Sequence, residues 1–230
     1  MPAVSGARPK QPEARLALPS VSRSRFTVIA LVSLLTTALL GLAVAHGYRA
    51  HRLERQAIQL LGNHPDVGRW ADLADLLAVP VIAAVLIVSL VFGALRRVLV
   101  RVALFAGLAA AALLISEQIV KPAVQERIDG QLSFPSGHVT AVCATALAMW
   151  IALYPVLGKW ARSITFVLGA AWTFLMSLAV VGAYWHTPLD AIGSIFLSVG
   201  VVTAGAAIFR PKPGAEPVVP VEPARVLEGV

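Results

Sequence analysis

Six long apolar runs, almost free of charged side chains, constrain the fold of this chain more than any other feature. A helix rises about 1.5 Å per residue, so a run of roughly 20 residues crosses the ~30 Å hydrocarbon layer of a bilayer. Because 58% of the side chains are hydrophobic and only 13% are charged, the chain is more apolar than a soluble domain of its size. The sequence predicts an all-α bundle of six transmembrane helices, at about 26–45, 76–95, 102–116, 138–157, 164–185 and 188–209.

The segments outside these runs differ in composition. Residues 1–25 are polar and rich in Pro, Ser and Arg, and residues 210–230 are rich in Pro and Val without a period, so both are predicted to be disordered tails. They flank a membrane domain at 26–209. Within that domain, residues 50–75 mix charged side chains with apolar ones at helical spacing, which predicts a short extracytoplasmic amphipathic helix.

The basic residues near the ends of the apolar runs predict the orientation. Lys and Arg collect on the side of the membrane that translocation disfavours. If six helices alternate, the basic N-terminal tail and the cations between later runs all fall on one side. We therefore expect a multi-pass protein of the cell inner (plasma) membrane with both termini cytoplasmic, on the evidence of Arg96, Arg97, Arg101, Lys159, Arg162, Arg210 and Lys212.

Other classes of protein are less consistent with the sequence. The net charge of +7 does not indicate a nucleic-acid partner, because the cations lie between apolar runs and in the tails, without interleaved aromatic residues. The single cysteine, Cys143, excludes an intramolecular disulfide and a thiol-rich metal site. Ala43-Val44-Ala45 resembles a signal-peptide cleavage site, which leaves a removed leader as an alternative for the first run. That run is longer than the usual ~7–15 apolar residues of a leader.

A first polar cluster lies between the third and fourth runs, on the outer side. Lys121 and Arg127 can donate charge-assisted hydrogen bonds to phosphate oxygens. Ser136 and Gly137 begin the fourth run, where a helix N-terminus offers backbone N–H groups and a dipole that favours an anion. His138 follows, in position to exchange a proton with a bound group. The alternative is an interfacial lysine, a capped turn and a histidine among lipid headgroups.

A second polar cluster lies between the fifth and sixth runs. Thr187 has the character of an N-cap and Pro188 that of a first helical residue, so the sixth helix is predicted to start here. Asp190 in its first turn can hydrogen-bond one nitrogen of His186 and leave the other free as a nucleophile or base. Alternatively, Asp190 only complements the helix dipole while the histidine faces headgroup water.

Together these residues resemble the three-part signature of the type 2 phosphatidic acid phosphatase family. The middle motif matches letter for letter, the His-x-x-x-Asp motif matches in spacing, and the order of the motifs along the chain is the same. The resemblance covers the motif region within 117–190, and it is carried by Lys121 with Arg127, by Pro135-Ser136-Gly137-His138, and by His186 with Asp190.

The resemblance implies an all-helical phosphatidic acid phosphatase-like core and a metal-independent, cofactor-free hydrolysis through a phosphohistidine. His186 would attack phosphorus, Asp190 would orient it, and His138 would protonate the leaving oxygen. The phosphoryl oxygens would be held electrostatically. The residues implied in that binding are Lys121, Arg127, Ser136 and Gly137.

Two positions depart from the family pattern. The first motif of the family ends in Arg-Pro seven residues after its Lys, where this chain has Ile128-Asp129, with Arg127 one position early. The third motif normally carries Arg six residues before the nucleophilic His, where this chain has Val180. Losing one charge-assisted hydrogen bond, at about 1.5–3 kcal/mol, would slow the reaction ~10–100-fold.

We therefore expect an integral-membrane phosphatase at the outer face, with the bilayer and a phosphorylated lipid as its partners. The substrate stays open among phosphatidic acid, phosphatidylglycerol phosphate, a polyprenyl diphosphate and a polyprenyl-phosphate sugar phosphate. The alternative is a catalytically weak or silent member that binds phosphorylated lipid or serves as a membrane partner protein. Vanadate-using haloperoxidases share these residue types but are largely soluble. Frequent Ala, Val, Gly and Arg favour a GC-rich bacterial source.

Overall fold

The structure is a computed structural model, and it describes residues 22–47, 56, 67–128 and 130–209. The two predicted tails lie almost wholly outside these residues. Two short strands and a series of helices make up the described chain. The helices are α1 (Arg23–Ala45), α2 (Val67–Leu77), α3 (Val79–Leu95), α4 (Leu99–Ile115), α5 (Lys121–Val124), α6 (Gly137–Leu153), α7 (Lys159–Gly182) and α8 (Pro188–Ile208), and the strands are β1 (Arg127–Ile128) and β2 (Gln131–Leu132).

Six helical stretches of the described chain are long and apolar enough to cross a membrane, which confirms the predicted six-helix all-α fold. Their outward faces carry exposed aliphatic side chains such as Val79, Leu95 and Val100, which are about three-quarters exposed. Such a surface is stable in lipid and not in water. The chain is therefore a multi-pass membrane protein, with spans at Arg23–Ala45, Val67–Leu95, Leu99–Val124, Gly137–Val156, Lys159–Gly182 and Pro188–Ile208.

The second span begins earlier than predicted, at Val67 instead of residue 76. The added helix α2 is amphipathic: Asp72 and Asp75 are exposed, while Ala74 is fully buried. Trp70 packs so closely on α7 that a Cβ atom at Gly182 would lie 2.7 Å from its ring. Tertiary packing therefore extends the helix into a charged segment. The earlier apolar positions of the predicted amphipathic helix lie outside the described residues.

The third span also exceeds its predicted end at residue 116. A π-helical turn at Ser116–Val120 joins α4 to α5, so the helix continues to Val124. Glu117 and Lys121 lie one turn apart here and form an ion pair, which allows the helix to continue through two charged positions. Lys121 therefore belongs to the end of a span and not to the loop that the sequence predicts.

Helices α6 and α8 form the centre of the bundle. α6 contacts α3, α4, α7 and α8, while α8 also packs on α1 and α4. Glycines allow these close approaches: a Cβ atom on Gly200 would lie 2.7 Å from Leu34 of α1. The hydroxyl of Ser198 also donates to the carbonyl oxygen of Thr140 on α6, at 3.1 Å. Small residues and interhelical hydrogen bonds replace the hydrophobic driving force that is absent within lipid.

The loop between β2 and α6 is anchored by Phe134, which is only 1% exposed. Its ring lies between α1 and α8, 3.3 Å from the Cβ position of Gly41 and 2.5 Å from that of Gly193. A Cβ atom at Gly193 would overlap the ring, and one at Gly41 would make a tight contact with it. The first and last spans together therefore hold the loop that leads into the fourth.

We expect Gly193→Val to destabilise the protein by about 1–3 kcal/mol, because the new side chain overlaps a ring that is enclosed on both sides. Gly107→Val is the matched control, since a Cβ atom on this lipid-facing helical glycine meets nothing within 4 Å. Thermal unfolding of both variants in detergent measures the difference. Equal stability of the two variants would contradict the conclusion that the Phe134 ring is enclosed between α1 and α8.

Candidate active site

The N-terminus of α6 is capped as the sequence predicts. Ser136 is the N-cap, and its Oγ accepts a hydrogen bond from the backbone N–H of Val139, at 3.4 Å. The Thr140 hydroxyl donates to the Ser136 carbonyl oxygen at 2.8 Å. Gly137 is thus the first helical residue and His138 the second, so His138 lies in the first turn of the helix, where the dipole favours an anion.

The start of α8 is a capping box. The Thr187 side chain accepts from the backbone N–H of Asp190, and the Asp190 carboxylate accepts from the backbone N–H of Thr187 at 2.9 Å. Pro188 occupies the first turn, where its missing N–H costs no hydrogen bond. The box fixes the orientation of the Asp190 carboxylate before any contact with a histidine is considered.

His186 is oriented by this carboxylate. Its Nδ1 lies 3.4 Å from Oδ2 of Asp190, and Asp190 is fully buried. Oδ2 also accepts a short hydrogen bond from the Ser133 hydroxyl, which itself lies 3.4 Å from Nδ1 of His186. Because Nδ1 is turned to the carboxylate, Nε2 is the ring nitrogen not engaged by Asp190, and the His186 residue lines the cavity described below.

The backbone that leads to His186 is set by the end of α7. Tyr184 has the left-handed φ of +60°, and the N–H groups of Trp185 and His186 donate back to the carbonyl oxygen of Val180, at 3.0 and 3.3 Å. With the bond from Tyr184 to Val181 at 3.1 Å, this is a Schellman ending formed without glycine. The turn therefore places His186 over the C-terminal end of α7.

Hydrogen bonds between α6 and α8 connect the two helix starts. The hydroxyl of Ser194 donates to the carbonyl oxygens of both Ser136 and Asp190, at 2.9 and 2.6 Å. The backbone N–H of Ser136 in turn donates to the Asp190 carbonyl oxygen at 3.4 Å. The proposed anion-binding turn and the carboxylate that orients His186 are therefore positioned by one shared network.

A cavity of about 870 Å³ opens in front of these residues. Its polar end is formed by side chains from four different parts of the chain, and below them it continues between α3 and α4 along small and aliphatic side chains. The His138 ring packs on the Trp185 ring with centroids 5.4 Å apart. The residues at the polar end are Glu117, Lys121, Ser133, Gly137, His138 and His186.

Lys121 enters the cavity as an ion pair. Its Nζ lies 2.9 Å from Oε1 and 3.0 Å from Oε2 of Glu117, and the lysine side chain is only 13% exposed. Across the described ranges, His, Cys, Asp and Glu side chains do not gather in threes in a way that could hold a metal ion. Lys121, which the sequence predicts to bind a phosphate, therefore lines the cavity and forms an ion pair with the Glu117 carboxylate there.

Arg127 does not reach the cavity. It is an exposed residue of β1, and its guanidinium donates to the carbonyl oxygen of Gly130 at 2.8 Å. The reason is the β1–β2 hairpin, in which Arg127 pairs with Leu132 and Ile128 with Gln131, so that Ile128 lines the cavity instead. The structure therefore brings together all the predicted site residues except this arginine.

Position 180, where the family pattern has an arginine, lies in the apolar core. Val180 is fully buried in a cluster with Ala74 of α2, Val139 of α6 and Met176 of its own helix. An arginine side chain would have to replace this packing. The close approach of α2 to α7 therefore accounts for an apolar residue at this position.

Sequence reasoning missed three residues of the site. Ser133 hydrogen-bonds Asp190, Glu117 pairs with Lys121, and Ser194 connects the two helix starts. The i to i+4 spacing of Glu117 and Lys121 on one helix face was a signal for their pairing. Ser133 offered no such signal, because its contact joins residues 57 positions apart in the chain.

Comparison with known proteins gives one family match. Residues 112–212 match the model of the PAP2 superfamily, and this segment contains all the site residues described above. This part of the chain is similar to the PAP2 superfamily. A search of curated proteins finds no match.

A solved structure shares the PAP2 fold of this chain. It is described as a transmembrane PAP2 type phosphatidylglycerolphosphate phosphatase from Bacillus subtilis. The TM-score is 0.63 at 15% sequence identity, over 78% of this chain and 94% of that one. The PAP2 family and this membrane fold support a phosphatase function, while the identity is too low to carry over a substrate.

Removing the hydroxyl of Ser133 should destabilise the protein by about 1–3 kcal/mol, because the buried Asp190 carboxylate would lose a hydrogen-bond donor. Ser177→Ala is the control: the Ser177 hydroxyl donates only to Thr173 within its own helix, at 2.8 Å. Its loss should cost less than about 1 kcal/mol. Thermal or denaturant unfolding in detergent compares Ser133→Ala with this control, and equal costs would contradict the role given to Ser133.

Proposed function

We propose that this protein is a lipid phosphatase that hydrolyses a phosphomonoester or diphosphate group through a phosphohistidine intermediate at the outer face of the membrane. One observation carries the proposal: His186 is held through Nδ1 by the buried Asp190, and its ring borders the same cavity as His138 and Lys121. A nucleophile, its orienting acid, a second imidazole and a cation therefore surround one space.

The proposed reaction has two steps. In the first, Nε2 of His186 forms a bond to phosphorus while the bond from phosphorus to the leaving oxygen breaks, and His138 gives its proton to that oxygen. In the second, His138 accepts a proton from water as the water oxygen attacks phosphorus, the phosphorus–nitrogen bond breaks and inorganic phosphate leaves. Asp190 stabilises the His186 imidazolium formed on attack, which is the role of the acid in a catalytic triad.

Electrostatic stabilisation of the phosphoryl oxygens is proposed for Lys121 together with the backbone at Ser136 and Gly137. Arg127, which the family pattern suggests for this role, is not included, because its guanidinium binds the Gly130 carbonyl oxygen outside the cavity. We therefore propose that fewer cations contact the phosphate here than the family motif provides. A lower rate, and not a different reaction, is the expected consequence.

The shape of the cavity supports a lipid substrate. Below its polar end, the cavity continues between the two neighbouring spans α3 and α4, along side chains that can contact an acyl or isoprenoid chain. Its volume of about 870 Å³ accommodates a phosphorylated headgroup and the first part of such a chain. The apolar lining consists of Ala78, Val79, Ile82, Ala83, Leu86, Ala106, Ala109, Ala110 and Leu113.

A second candidate function is binding of phosphorylated lipid without turnover. The observation that favours it is the pairing of Lys121 with Glu117, together with Val180 in the apolar core, because both reduce the positive charge at the site. We rank it second, since His186, Asp190 and Ser133 form a connected network that a binding protein does not need.

The central experiment is phosphate release from a panel of lipid phosphates in detergent, with a metal chelator present. We expect wild-type protein to release phosphate without added metal, and His186→Ala to lose activity by about three orders of magnitude or more. His46→Ala is the matched control, because His46 is exposed at the end of α1 and, within the described residues, its ring contacts the Leu42 carbonyl oxygen, at 2.8 Å. The panel contains phosphatidic acid, phosphatidylglycerol phosphate and a polyprenyl diphosphate.

A labelled substrate separates the two candidate functions. Turnover through His186 should leave an acid-labile, alkali-stable phosphoenzyme in wild-type protein and none in His186→Ala. Full activity in His186→Ala would remove the proposed mechanism. Lipid-phosphate binding without release and without a phosphoenzyme would favour the binding protein.

The proposed orientation rests on the distribution of charge. Arg96, Arg97, Lys159 and Arg162 lie at the end of the bundle opposite to the cavity's polar side chains. By the positive-inside rule, that end is cytoplasmic. Because α1 begins and α8 ends there, we propose that both termini are cytoplasmic as well. The site is then extracytoplasmic.

Cysteine labelling in intact cells tests this orientation. Gln131→Cys, in the exposed hairpin strand, should react with a membrane-impermeant maleimide, whereas Lys159→Cys at the opposite end should react only after permeabilisation. The native Cys143 is buried, and its replacement by Ala removes the remaining background. The reverse labelling pattern would place the site on the cytoplasmic side.

A further inference from the structure

A carboxylate occupies the part of the site where a phosphate is proposed to bind. Both oxygens of Glu117 contact the Nζ atom of Lys121, at 2.9 and 3.0 Å. The two residues lie on successive turns across the π-helical turn Ser116–Val120. Lys121 is 13% exposed and Glu117 is 35% exposed, so the lysine is the enclosed partner and the glutamate is the one with access to solvent.

The same carboxylate also lies against the N-terminus of α6. A Cβ atom built on Gly137 would overlap Oε1 of Glu117 and would lie 3.7 Å from Nζ of Lys121. Both Glu117 and Lys121 interact electrostatically with His138. A negative group therefore sits at the meeting point of the lysine, the helix N-terminus and the imidazole, which is the position that a phosphoryl group needs.

We infer that Glu117 is a specificity-determining residue, an internal anion that lies at the phosphoryl position and that the substrate must displace. The inference rests on the proposed function, since it concerns the same site. It assigns to Glu117 a discrimination by charge: the site takes a terminal phosphate with nearly two negative charges and rejects a phosphodiester with one.

The physical reason is a competition for Lys121. An enclosed ammonium group requires a counter-ion, and Glu117 supplies one until a substrate phosphate replaces it. A terminal phosphate carries about −1.5 to −2 charges at pH 7 and three acceptor oxygens. It therefore attracts the lysine and the helix N-terminus more strongly, and accepts more hydrogen bonds from them, than the carboxylate does. A phosphodiester carries a single charge and fewer free oxygens, and it gains little by displacing Glu117.

Such discrimination has a clear use in a bilayer. Most headgroups around the cavity opening are phosphodiesters, present in large excess over any lipid with a terminal phosphate. These phosphodiester headgroups would fill a site whose cations had no counter-ion. The Glu117 carboxylate keeps the cationic position neutral until a more highly charged group arrives, and it is exposed enough to turn aside when that happens.

Calorimetric titration of the purified protein with inorganic phosphate tests the inference independently of turnover. We expect Glu117→Gln to bind phosphate about 10-fold more tightly than wild type, because the competing charge is gone. The variant should also become sensitive to inhibition by phosphatidylglycerol, a phosphodiester. With a phosphorylated lipid substrate, KM should fall while kcat does not rise.

Two further variants make the test specific. Asp75→Asn removes another carboxylate that interacts with His138, but not one that contacts Lys121, so phosphate affinity should change far less. In a Lys121→Met background, Glu117→Gln should give no gain, because the lysine is the group being contested. An equal gain in Asp75→Asn, or a gain that persists without Lys121, would overturn the inference.

The outcomes also separate this inference from the proposed function. Unchanged or weaker phosphate binding by Glu117→Gln, in a protein whose wild type hydrolyses lipid phosphates, overturns the inference alone. Tighter phosphate binding by the variant, with no hydrolysis by any form, supports the inference and overturns the enzymatic function. Absence of phosphate binding in both wild type and Glu117→Gln contradicts the assigned anion position.

Discussion

The buried carboxylate of Asp190 is the interaction on which the rest of the site depends. A charge with no exposure is tolerated only when hydrogen bonds replace its water, and Oδ2 receives them from the Ser133 hydroxyl and the Thr187 backbone, with His186 beside it. Each donor comes from a different structural context: a loop, a helix cap and a Schellman turn. The contacts to this one oxygen therefore fix three segments of chain against each other.

Much of this arrangement could be predicted from local sequence. Thr187, Pro188 and Asp190 specify a helix start because capping depends only on neighbouring residues, and the same holds for Ser136. The six spans follow from length and apolarity alone, so their number was correct. The cores of the spans were predicted better than their ends, because polar residues near the membrane surface continue a helix only when a neighbour stabilises them.

The remainder depended on contacts that local sequence does not encode. The hairpin turns Arg127 away from the cavity, although Arg127 lies only one position from the arginine of the family's first motif. Ser133 meets Asp190 across 57 positions of sequence, and the adjacent Phe134 is held between α1 and α8. Val180 stands where the family motif has an arginine, and the packing of α2 on α7 explains why this position is apolar. Long-range packing thus decides which polar residues share the cavity.

The seat of Phe134 links the site to the order of chain synthesis. One wall of the seat is Gly41 in the first span and the other is Gly193 in the last, so the loop bearing Ser133 has no complete support until both are inserted. Spans two to five can enter the bilayer earlier without forming the Asp190 network. The seat of Phe134 and the Asp190 network are therefore completed together, when the last span packs against the first.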